Sequence, residues 1–424
     1  MRVKSLMGGA IAGVMCLGLV LTGCGSSQKE ESQATDSSSA TVTGGQAEAD
    51  AQTEKTDGDY EEVKILLGKE SLCLGPIHIA IENGYLDEEF ASIGQEYELV
   101  EAEVSQAAEL IASGQINAAY GLTASFMEPI SNGLNITFTT GLHTGCTKYY
   151  VKPDSGIDSL EDLKGKTVGV PALSDSSVIN LKRKLADVGL DVTSANPDVE
   201  FVAYSMTDLP AALDNDGVDA VGLHDPVATT AEEEFGFTKI LDTGEDEKFV
   251  DEYCCQAFVE TGLIESNPDG AAAYTRALQK AAAFIQAEPY EAAKIQVDKG
   301  YITGDPGHNG QILESLNYTP SVSLGKQTFV NAFADLQKIG LLDASLDADE
   351  FTAKATAALD GVPDTIYYDS ESGTFSEKSA EASVSTGKLK TKGKARNTSD
   401  GEKTQPVEDD CCEESQPVED SCCN

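Results

Sequence analysis

The amino-acid sequence predicts an α/β fold in a central body, and three observations predict it. Between residues 61 and 366, short β-branched runs alternate with segments of helical periodicity, a pattern typical of sheets covered by helices. A body of about 300 residues is long enough for two domains around separate cores. The segments on both sides of the body are polar, and we expect them to be disordered because they cannot bury enough apolar surface.

The first half of the body alternates strands and capped helices. Pro76 is expected to begin a helix, since the missing N–H of proline has no partner in a first helical turn. Ser105 is expected to cap a second helix and Thr123 a third, because hydroxyl side chains accept hydrogen bonds from free N–H groups. Strands are predicted over residues 62–67, 116–120, 136–139 and 147–151.

The second half of the body continues this alternation and then becomes helical. Residues 159–166 are expected to form a short helix, and the turn Ser174-Asp175-Ser176-Ser177 is expected to open a longer one. Strands are predicted over residues 167–170, 200–203, 218–223, 239–241 and 253–259. Further helices are predicted over residues 207–213, 268–286, 289–298, 325–339 and 348–359.

The chain is strongly acidic. Its 72 acidic residues against 29 basic ones give a net charge of −43. This balance argues against nucleic acid as a partner, because phosphates are bound by lysine and arginine. It also argues against a surface that binds anionic lipid. Solubility and mutual repulsion in an exported protein account for most of the charge.

The N-terminus has the features of a secretory leader over residues 1–23. Two basic residues precede an apolar run that is shorter than a membrane-spanning helix requires. The sequence Leu21-Thr22-Gly23-Cys24 resembles the bacterial lipobox, which implies a lipid-modified Cys24 that anchors the protein outside the cell membrane. The alternative is an ordinary leader with a chance cysteine. Residues 24–60 are polar, and we expect a flexible stalk.

The C-terminal segment, residues 367–424, is predicted to be a disordered tail that carries the one clear internal repeat. Two copies of a Gln-Pro-Val-Glu-Asp motif each end in a pair of adjacent cysteines, and these are Cys411, Cys412, Cys422 and Cys423. Four thiolates on a flexible segment are suited to one soft metal or metalloid ion. Interchain disulfides and an extension without function are the alternatives.

Three segments of the body resemble one family. They are Gly75-Pro76-Ile77-His78-Ile79-Ala80, the stretch 159–171 (SLEDLKGKTVGVP), and Gly217-Val218-Asp219-Ala220 with His224-Asp225-Pro226. The sequence is similar to substrate-binding lipoproteins of ABC importers, in the group that includes nitrate-, sulfonate-, taurine- and thiamine-pyrimidine-binding proteins.

The resemblance implies the type II periplasmic-binding-protein fold, with two lobes joined by two crossing strands that act as a hinge. Lobe one would comprise residues 61–147 and 254–366, and lobe two residues 148–253. A small solute would bind between them. The implied partners are an ABC permease and a separate ATPase subunit, since the chain has no nucleotide motif. We expect a monomer.

Placed on this fold, several loops are expected to face the crevice, where strand ends and helix N-termini converge. The candidate ligand-binding residues are Cys73, Leu74, Leu122, Thr123, His143, Cys146, Ser174, Asp175, Ser176, His224, Asp225, Cys254 and Cys255.

The concentration of cysteine and histidine in these loops has three interpretations. The cysteines could be structural, either with Cys146 paired to Cys254 or Cys255 in a disulfide or as small buried hydrophobic residues. They could contact an organic ligand, or they could bind a soft metal or metalloid ion together with His143 and His224. These loops contain no arginine, so a sulfonate or nitrate ligand is not assumed. Asp175 and Asp225 favour a cation or an amine.

Three functions follow, in order of preference. The first is a solute-binding protein for import, with no catalytic residues. The second is a surface protein that sequesters metal through the tail. The third, an enzyme resembling thiamine-pyrimidine synthase, is disfavoured by export. The sequence also lacks the Gly-x-Ser-x-Gly and His-Glu-x-x-His motifs of hydrolases.

Overall fold

The computed structural model describes residues 3–5, 60–69 and 71–378. Within these residues the chain forms two mixed β-sheets covered by helices, and a small hairpin at the end. The predicted α/β fold with two lobes is confirmed.

The first sheet has six strands in the order β1-β3-β2-β4-β11-β5. Strands β2, β3 and β4 run parallel, whereas β11 is antiparallel to both β4 and β5. The strands are β1 (Val3–Ser5), β2 (Val63–Leu67), β3 (Tyr97–Glu101), β4 (Ala118–Leu122), β5 (Ile136–Thr144) and β11 (Tyr253–Glu260).

The second sheet has five strands in the order β10-β6-β9-β7-β8. Strands β7, β8 and β9 are parallel, and β6 runs antiparallel to both β9 and β10. The strands are β6 (Thr147–Val151), β7 (Thr167–Val170), β8 (Glu200–Ala203), β9 (Ala220–His224) and β10 (Thr238–Asp242).

The chain passes between the sheets twice, from β5 to β6 and from β10 back to β11. The two crossing segments lie against each other at Gly145 and Gly244. A Cβ atom on Gly145 would lie 2.7 Å from the Cα of Gly244, and Gly145 has a φ of +79°. Only glycine fits this close approach without strain.

Thirteen helices are described, together with 3-10 turns at Val104–Gln106 and Leu160–Leu163. Helices α5 to α7 belong to the second lobe. The helices are α1 (Pro76–Glu82), α2 (Tyr85–Ser92), α3 (Ala107–Ala112), α4 (Thr123–Ser131), α5 (Ser176–Asp187), α6 (Leu209–Asp214), α7 (Val227–Phe235), α8 (Leu263–Ser266), α9 (Pro268–Ala287), α10 (Pro289–Asp298), α11 (Pro306–Ser315), α12 (Val322–Lys338) and α13 (Ala348–Ala355). No helix among the described residues is both long and apolar enough to cross a bilayer.

The apolar cores of the two lobes are not separate, contrary to the expectation from length. One cluster of buried side chains contains Phe138 and Phe258 of the first sheet as well as Tyr149 and Val168 of the second. The reason is that β5 and β6 are buried along their whole length, so apolar packing continues through the crossing. The lobes are therefore joined by a packed region rather than by an exposed linker.

The predicted C-terminal tail begins too early. Residues 365–378 form a hairpin of β12 (Thr365–Asp369) and β13 (Thr374–Lys378). Phe375 packs edge-on against Tyr85, with ring centroids 5.2 Å apart, and also contacts Tyr368. Tyr368 and Phe375 lie directly opposite each other on the two strands and supply the apolar face that the polar composition of this segment conceals.

Several predicted caps differ in the structure. Helix α4 starts at Thr123 itself, which therefore does not cap it, and Glu103 rather than Ser105 caps the turn before α3. Ser159 forms a capping box, but the segment that follows is a 3-10 turn instead of a helix. Helices and strands of the body that the sequence analysis missed are α2, β3, α7, α8 and α11.

Candidate functional site

A cavity of about 490 Å³ lies between the two lobes, within the size range of small-molecule sites of roughly 300–1,000 Å³. Its wall is formed by residues at or after the carboxyl ends of β2, β3, β4, β7, β8 and β9. Seven of the predicted ligand-binding residues line it, namely Cys73, Leu74, Leu122, Ser174, Asp175, His224 and Asp225. Strand ends from both sheets therefore meet at one crevice, as in other open α/β sheets.

Much of the cavity wall is apolar, and apart from Leu74 and Leu122 the sequence analysis missed this part. Phe126 lies in the first turns of α4, Val227 begins α7, and Met206 follows β8. Each lies near a helix start that faces the crevice. The sequence could have indicated these wall residues, because they are apolar and lie near the start of a helix that follows a strand ending at the crevice.

His224 is held in the cavity wall by a carboxylate. Its Nε2 lies 2.8 Å from Oδ1 of Asp175, and its Nδ1 lies 3.0 Å from the hydroxyl of Thr147. Burial by itself lowers the pKa of His224, but the charge and the hydrogen bond of Asp175, together with the nearby sulfurs of Cys254 and Cys73, outweigh burial and raise the pKa to about 9. The pair is thus an imidazolium and a carboxylate at neutral pH. Asp175 also caps α5 by accepting from the backbone N–H of Ser177.

Asp225 is likewise paired. Nζ of Lys148 donates to Oδ2 of Asp225 at 2.7 Å, and Thr229 donates to Oδ1 through its backbone N–H and its hydroxyl. Both carboxylates that favoured a cationic ligand in the sequence analysis already have cationic partners in the protein. The argument for a cation or an amine is therefore wrong in its premise, because sequence alone does not show which charges neutralise each other.

A cluster of sulfur and nitrogen donors, which we call the thiol cluster, lies at the base of the crevice. It consists of Cys73, His143, Cys146 and Cys255, whose donor atoms all lie within 4.8 Å of one another. Cys73 is 2% exposed and the other three are fully buried. Only Cys73 of this set also lines the cavity. The structure thus brings together residues from three separate segments of the chain.

Cys254 lies beside the thiol cluster. Its Sγ is 3.1 Å from Sγ of Cys146, longer than the roughly 2.05 Å of a disulfide bond. All four cysteines of the described residues are free. The predicted proximity of Cys146 to both Cys254 and Cys255 is present in the structure, but no covalent bond joins them.

The cysteines of the thiol cluster and its neighbour Cys254 differ in the direction in which their pKa values are shifted. Hydrogen bonds from neighbouring thiols lower the pKa of Cys73 and of Cys254. Hydrogen bonding with Cys254 raises the pKa of Cys146. Burial raises the pKa of Cys255. Burial lowers the pKa of His143, and the nearby sulfur of Cys73 more than offsets this. A buried thiol group with a lowered pKa has the character of a thiolate ligand or nucleophile.

Six predicted site residues do not reach the cavity, and three of them, His143, Cys146 and Cys255, belong to the thiol cluster. Thr123, Ser176 and Cys254 line a separate space of about 20 Å³, which has room for about one water molecule. The hydroxyls of Thr123 and Ser176 are buried without a hydrogen-bond partner in the described part of the chain. Helix starts at Thr123 and Ser176 turn these side chains inward rather than toward the crevice.

Comparison with known proteins places the chain in a family. The sequence model described as NMT1/THI5 like matches residues 74–292, which is more than half of the 424-residue chain. The protein belongs to the NMT1/THI5-like family. The match includes all thirteen predicted ligand-binding residues except Cys73, which immediately precedes it. No curated protein sequence matches the chain.

Solved structures of solute-binding proteins share the fold of this NMT1/THI5-like protein. The alkanesulfonate-binding protein of Xanthomonas axonopodis pv. citri, bound to MOPS, is 15% identical over 70% of this chain and 98% of its own, with a TM-score of 0.54. The aliphatic sulphonate-binding protein of Escherichia coli is 17% identical over 67% and 95%, also at 0.54. The nitrate-binding protein of Synechocystis PCC 6803 is 12% identical over 71% and 86%, at 0.55. At these identities the likeness establishes the fold.

Other predicted residues of this family member lie outside the described part of the chain. These are the lipidation residue Cys24 and the tail residues Cys411, Cys412, Cys422 and Cys423. Of the predicted leader, residues 3–5 are described, as the strand β1 that pairs in parallel with β3.

Proposed function

We propose that the protein is a lipid-anchored, extracytoplasmic solute-binding protein that delivers a small molecule to an ABC importer. The observation that carries this proposal is the cavity of about 490 Å³, whose wall is contributed by both lobes. A ligand that touches both lobes stabilises the closed arrangement, since it binds that arrangement better than an open one. A permease can then distinguish loaded from empty protein by shape.

The charges of the wall suggest what the solute is. No arginine is found among the described residues that line the cavity. The described part of the cavity wall contains two cationic side chains, and both have an acidic partner. His224 is paired with Asp175, and Nζ of Lys69 lies 2.8 Å from Oε1 of Glu101. A sulfonate or nitrate would thus lack the bidentate clamp that usually holds such anions. We infer a small organic solute with an apolar body and without net negative charge.

The anchor and the importer are supported by the sequence. The lipobox-like segment that ends at Cys24 would tether the mature protein to the outer membrane face through acyl chains. Processing at this point would remove residues 3–5, so that β3 would become the edge of the first sheet. The importer role is supported by the similar structures, which include sulfonate- and nitrate-binding proteins.

Native mass spectrometry of gently purified full-length protein tests the proposal. We expect an organic adduct that is released on unfolding, and isothermal titration of the emptied protein with the released compound should give one site per chain. Substituting the four tail cysteines by serine should not change this binding. A protein that never carries an organic adduct, and whose thermal unfolding responds to no compound of a transport-solute library, would contradict solute binding.

A further inference from the structure

We propose that Cys73, His143, Cys146 and Cys255 form a closed site for a zinc ion or a similarly thiophilic divalent cation. Three thiolates and one imidazole are a donor set typical of structural zinc sites. The inference goes beyond solute binding and does not depend on which solute occupies the cavity.

The separations of the four donors are close to those around one four-coordinate ion. Bonds of about 2.3 Å to sulfur and 2.0–2.1 Å to nitrogen put the donors of a zinc site roughly 3.5–3.8 Å apart. The four donor atoms here already lie within 4.8 Å of one another. Inward side-chain shifts of about 0.6 Å are enough to reach zinc distances.

The backbone fixes the donors independently of any ion. His143 and Cys255 are directly opposite each other on the antiparallel strands β5 and β11. Cys146 lies in the crossing between β5 and β6, three residues after His143. Cys73 comes from the loop after β2, where the hydroxyl of Tyr318 donates to its carbonyl oxygen at 3.0 Å. The donors therefore need little ordering on binding, which favours affinity.

His143 supplies an independent observation that points to a ligand. Its side chain is fully buried, and its Nε2 has no hydrogen-bond partner among the described residues. Its Nδ1 faces the carbonyl oxygen of Thr144 at 3.4 Å, and its ring stacks at a tilt against Tyr318. A buried polar atom without a partner is costly, and a metal bond at Nε2 removes that cost. Hydrogen bonding of the other ring nitrogen to a carbonyl is the usual arrangement of a metal-bound histidine.

The surroundings can compensate for the charge of the complex. A zinc ion with three thiolates and a neutral imidazole has a net charge of −1, after the thiol protons have been released to solvent. Nδ1 of His224 lies 3.9 Å from Sγ of Cys146, and His224 is in turn held by Asp175. It can donate a hydrogen bond to the bound sulfur, as outer partners of metal ligands do.

The location suggests what the ion does. Its ligands come from the β2 loop, the first crossing and the returning strand β11, so that one ion links the cavity wall to both crossing strands. Four protein ligands leave no open coordination position, which is characteristic of structural rather than catalytic zinc. We therefore assign the ion a role in holding the base of the crevice, separate from the transported solute.

The test uses the full chain, in which Cys254 and the cysteines of the thiol cluster are kept and the other six cysteines are replaced by serine. These six are Cys16, Cys24, Cys411, Cys412, Cys422 and Cys423. The reduced protein is titrated with Co(II) as a spectroscopic substitute for zinc. We expect one equivalent, with thiolate-to-cobalt charge-transfer bands and the visible bands of a tetrahedral site, and displacement by zinc. Cys255→Ser, Cys73→Ser and His143→Asn should each lose stoichiometric binding.

Cys254→Ser is the matched control, because Cys254 neighbours the cluster without belonging to it. It should keep one tightly bound Co(II), and His224→Gln should weaken binding by about 10–100-fold. Circular dichroism verifies folding of each variant, and a ligand variant that does not fold is replaced by one of the other two. The site is disproved if the reduced background chain binds no stoichiometric ion. It is also disproved if Cys254→Ser abolishes binding while the folded ligand variants retain it.

Discussion

The guanidinium of Arg183 forms a bidentate pair with the carboxylate of Glu252 inside the protein. Nη1 lies 2.7 Å from Oε2 and Nη2 lies 2.8 Å from Oε1, while Nε donates to Asp335 at 3.1 Å. Arg183 is on α5 of the second lobe, Glu252 is on the second crossing, and Asp335 is on α12, which packs on β5 of the first sheet. One side chain that is 1% exposed thus connects both lobes and the crossing.

Removing this arginine should be strongly destabilising. Arg183→Met leaves the carboxylate of Glu252 buried without its cationic partner, which costs about 3–5 kcal/mol. Chemical denaturation followed by circular dichroism measures the free energy of unfolding. Lys182→Ala, at the neighbouring and more exposed position, should cost less than about 1 kcal/mol. The double variant Arg183→Met with Glu252→Gln should lose less free energy of unfolding than the sum of the two single variants, and additive losses would contradict an energetic coupling.

Filling the cavity should abolish solute binding without unfolding the protein. Ala172 lies on the loop after β7 and lines the cavity, yet it is exposed. A tryptophan there can occupy the space without disturbing the core, so we expect Ala172→Trp to reduce solute affinity at least about tenfold, or 1.4 kcal/mol. Ala91→Trp, on the exposed face of α2, is the size-matched control. Unchanged affinity in Ala172→Trp, measured by titration calorimetry, would exclude this cavity as the site.

Oxidation of metal-free protein should join Cys146 to Cys254. Their sulfurs are 3.1 Å apart, and the lowered pKa of Cys254, caused first by hydrogen bonding from Cys146, makes it the attacking thiolate. Treatment with diamide in the presence of a chelator, followed by peptide mapping, identifies the bond. In Cys254→Ser this cross-link must be absent. A dominant Cys254–Cys255 bond would show that the crossing segments move apart in solution.

Lipid anchoring should depend on one cysteine of the leader region. We expect Cys24→Ser to release the protein from the membrane fraction, because no acyl chain can then be attached. Cys16 lies within the apolar run of the same leader, and the control variant Cys16→Ser should leave the protein membrane-bound. Fractionation and immunoblotting measure the distribution. Membrane retention of Cys24→Ser would mean that another part of the chain supplies the attachment.

The C-terminal hairpin should contribute to stability. Phe375 packs against Tyr85 and Tyr368, and Phe375→Ala should cost about 1–3 kcal/mol through lost burial and ring contacts. Tyr367, which is 45% exposed on the same hairpin, provides the control, and Tyr367→Ala should cost no more than about 0.5 kcal/mol. Equal unfolding midpoints for the two variants would show that the hairpin does not stabilise the first lobe.

Local sequence rules located most elements of the body but not all. Strand β7 and helix α10 have the predicted bounds, because a β-branched run and a proline at the first helical position fix them locally. The helix predicted at residues 159–166 is only a 3-10 turn between Leu160 and Leu163, and the chain enters strand β7 at Thr167. The hairpin that begins at Thr365 was missed because its aromatic residues are buried by packing against Tyr85 and Phe284, which lie far away in the sequence.

The sequence by itself determined the α/β alternation, because strand ends and helix starts follow from local chemistry, and its resemblance to a family implied which loops meet at the crevice. Only the tertiary structure decided which of those loop residues face the cavity and which face inward. It also decided that Asp175 and Asp225 are already neutralised by His224 and Lys148, and that Cys73, His143, Cys146 and Cys255 converge. Charge pairing and donor convergence depend on distances between residues far apart in the chain, and the packing of two sheets across a shared core sets those distances.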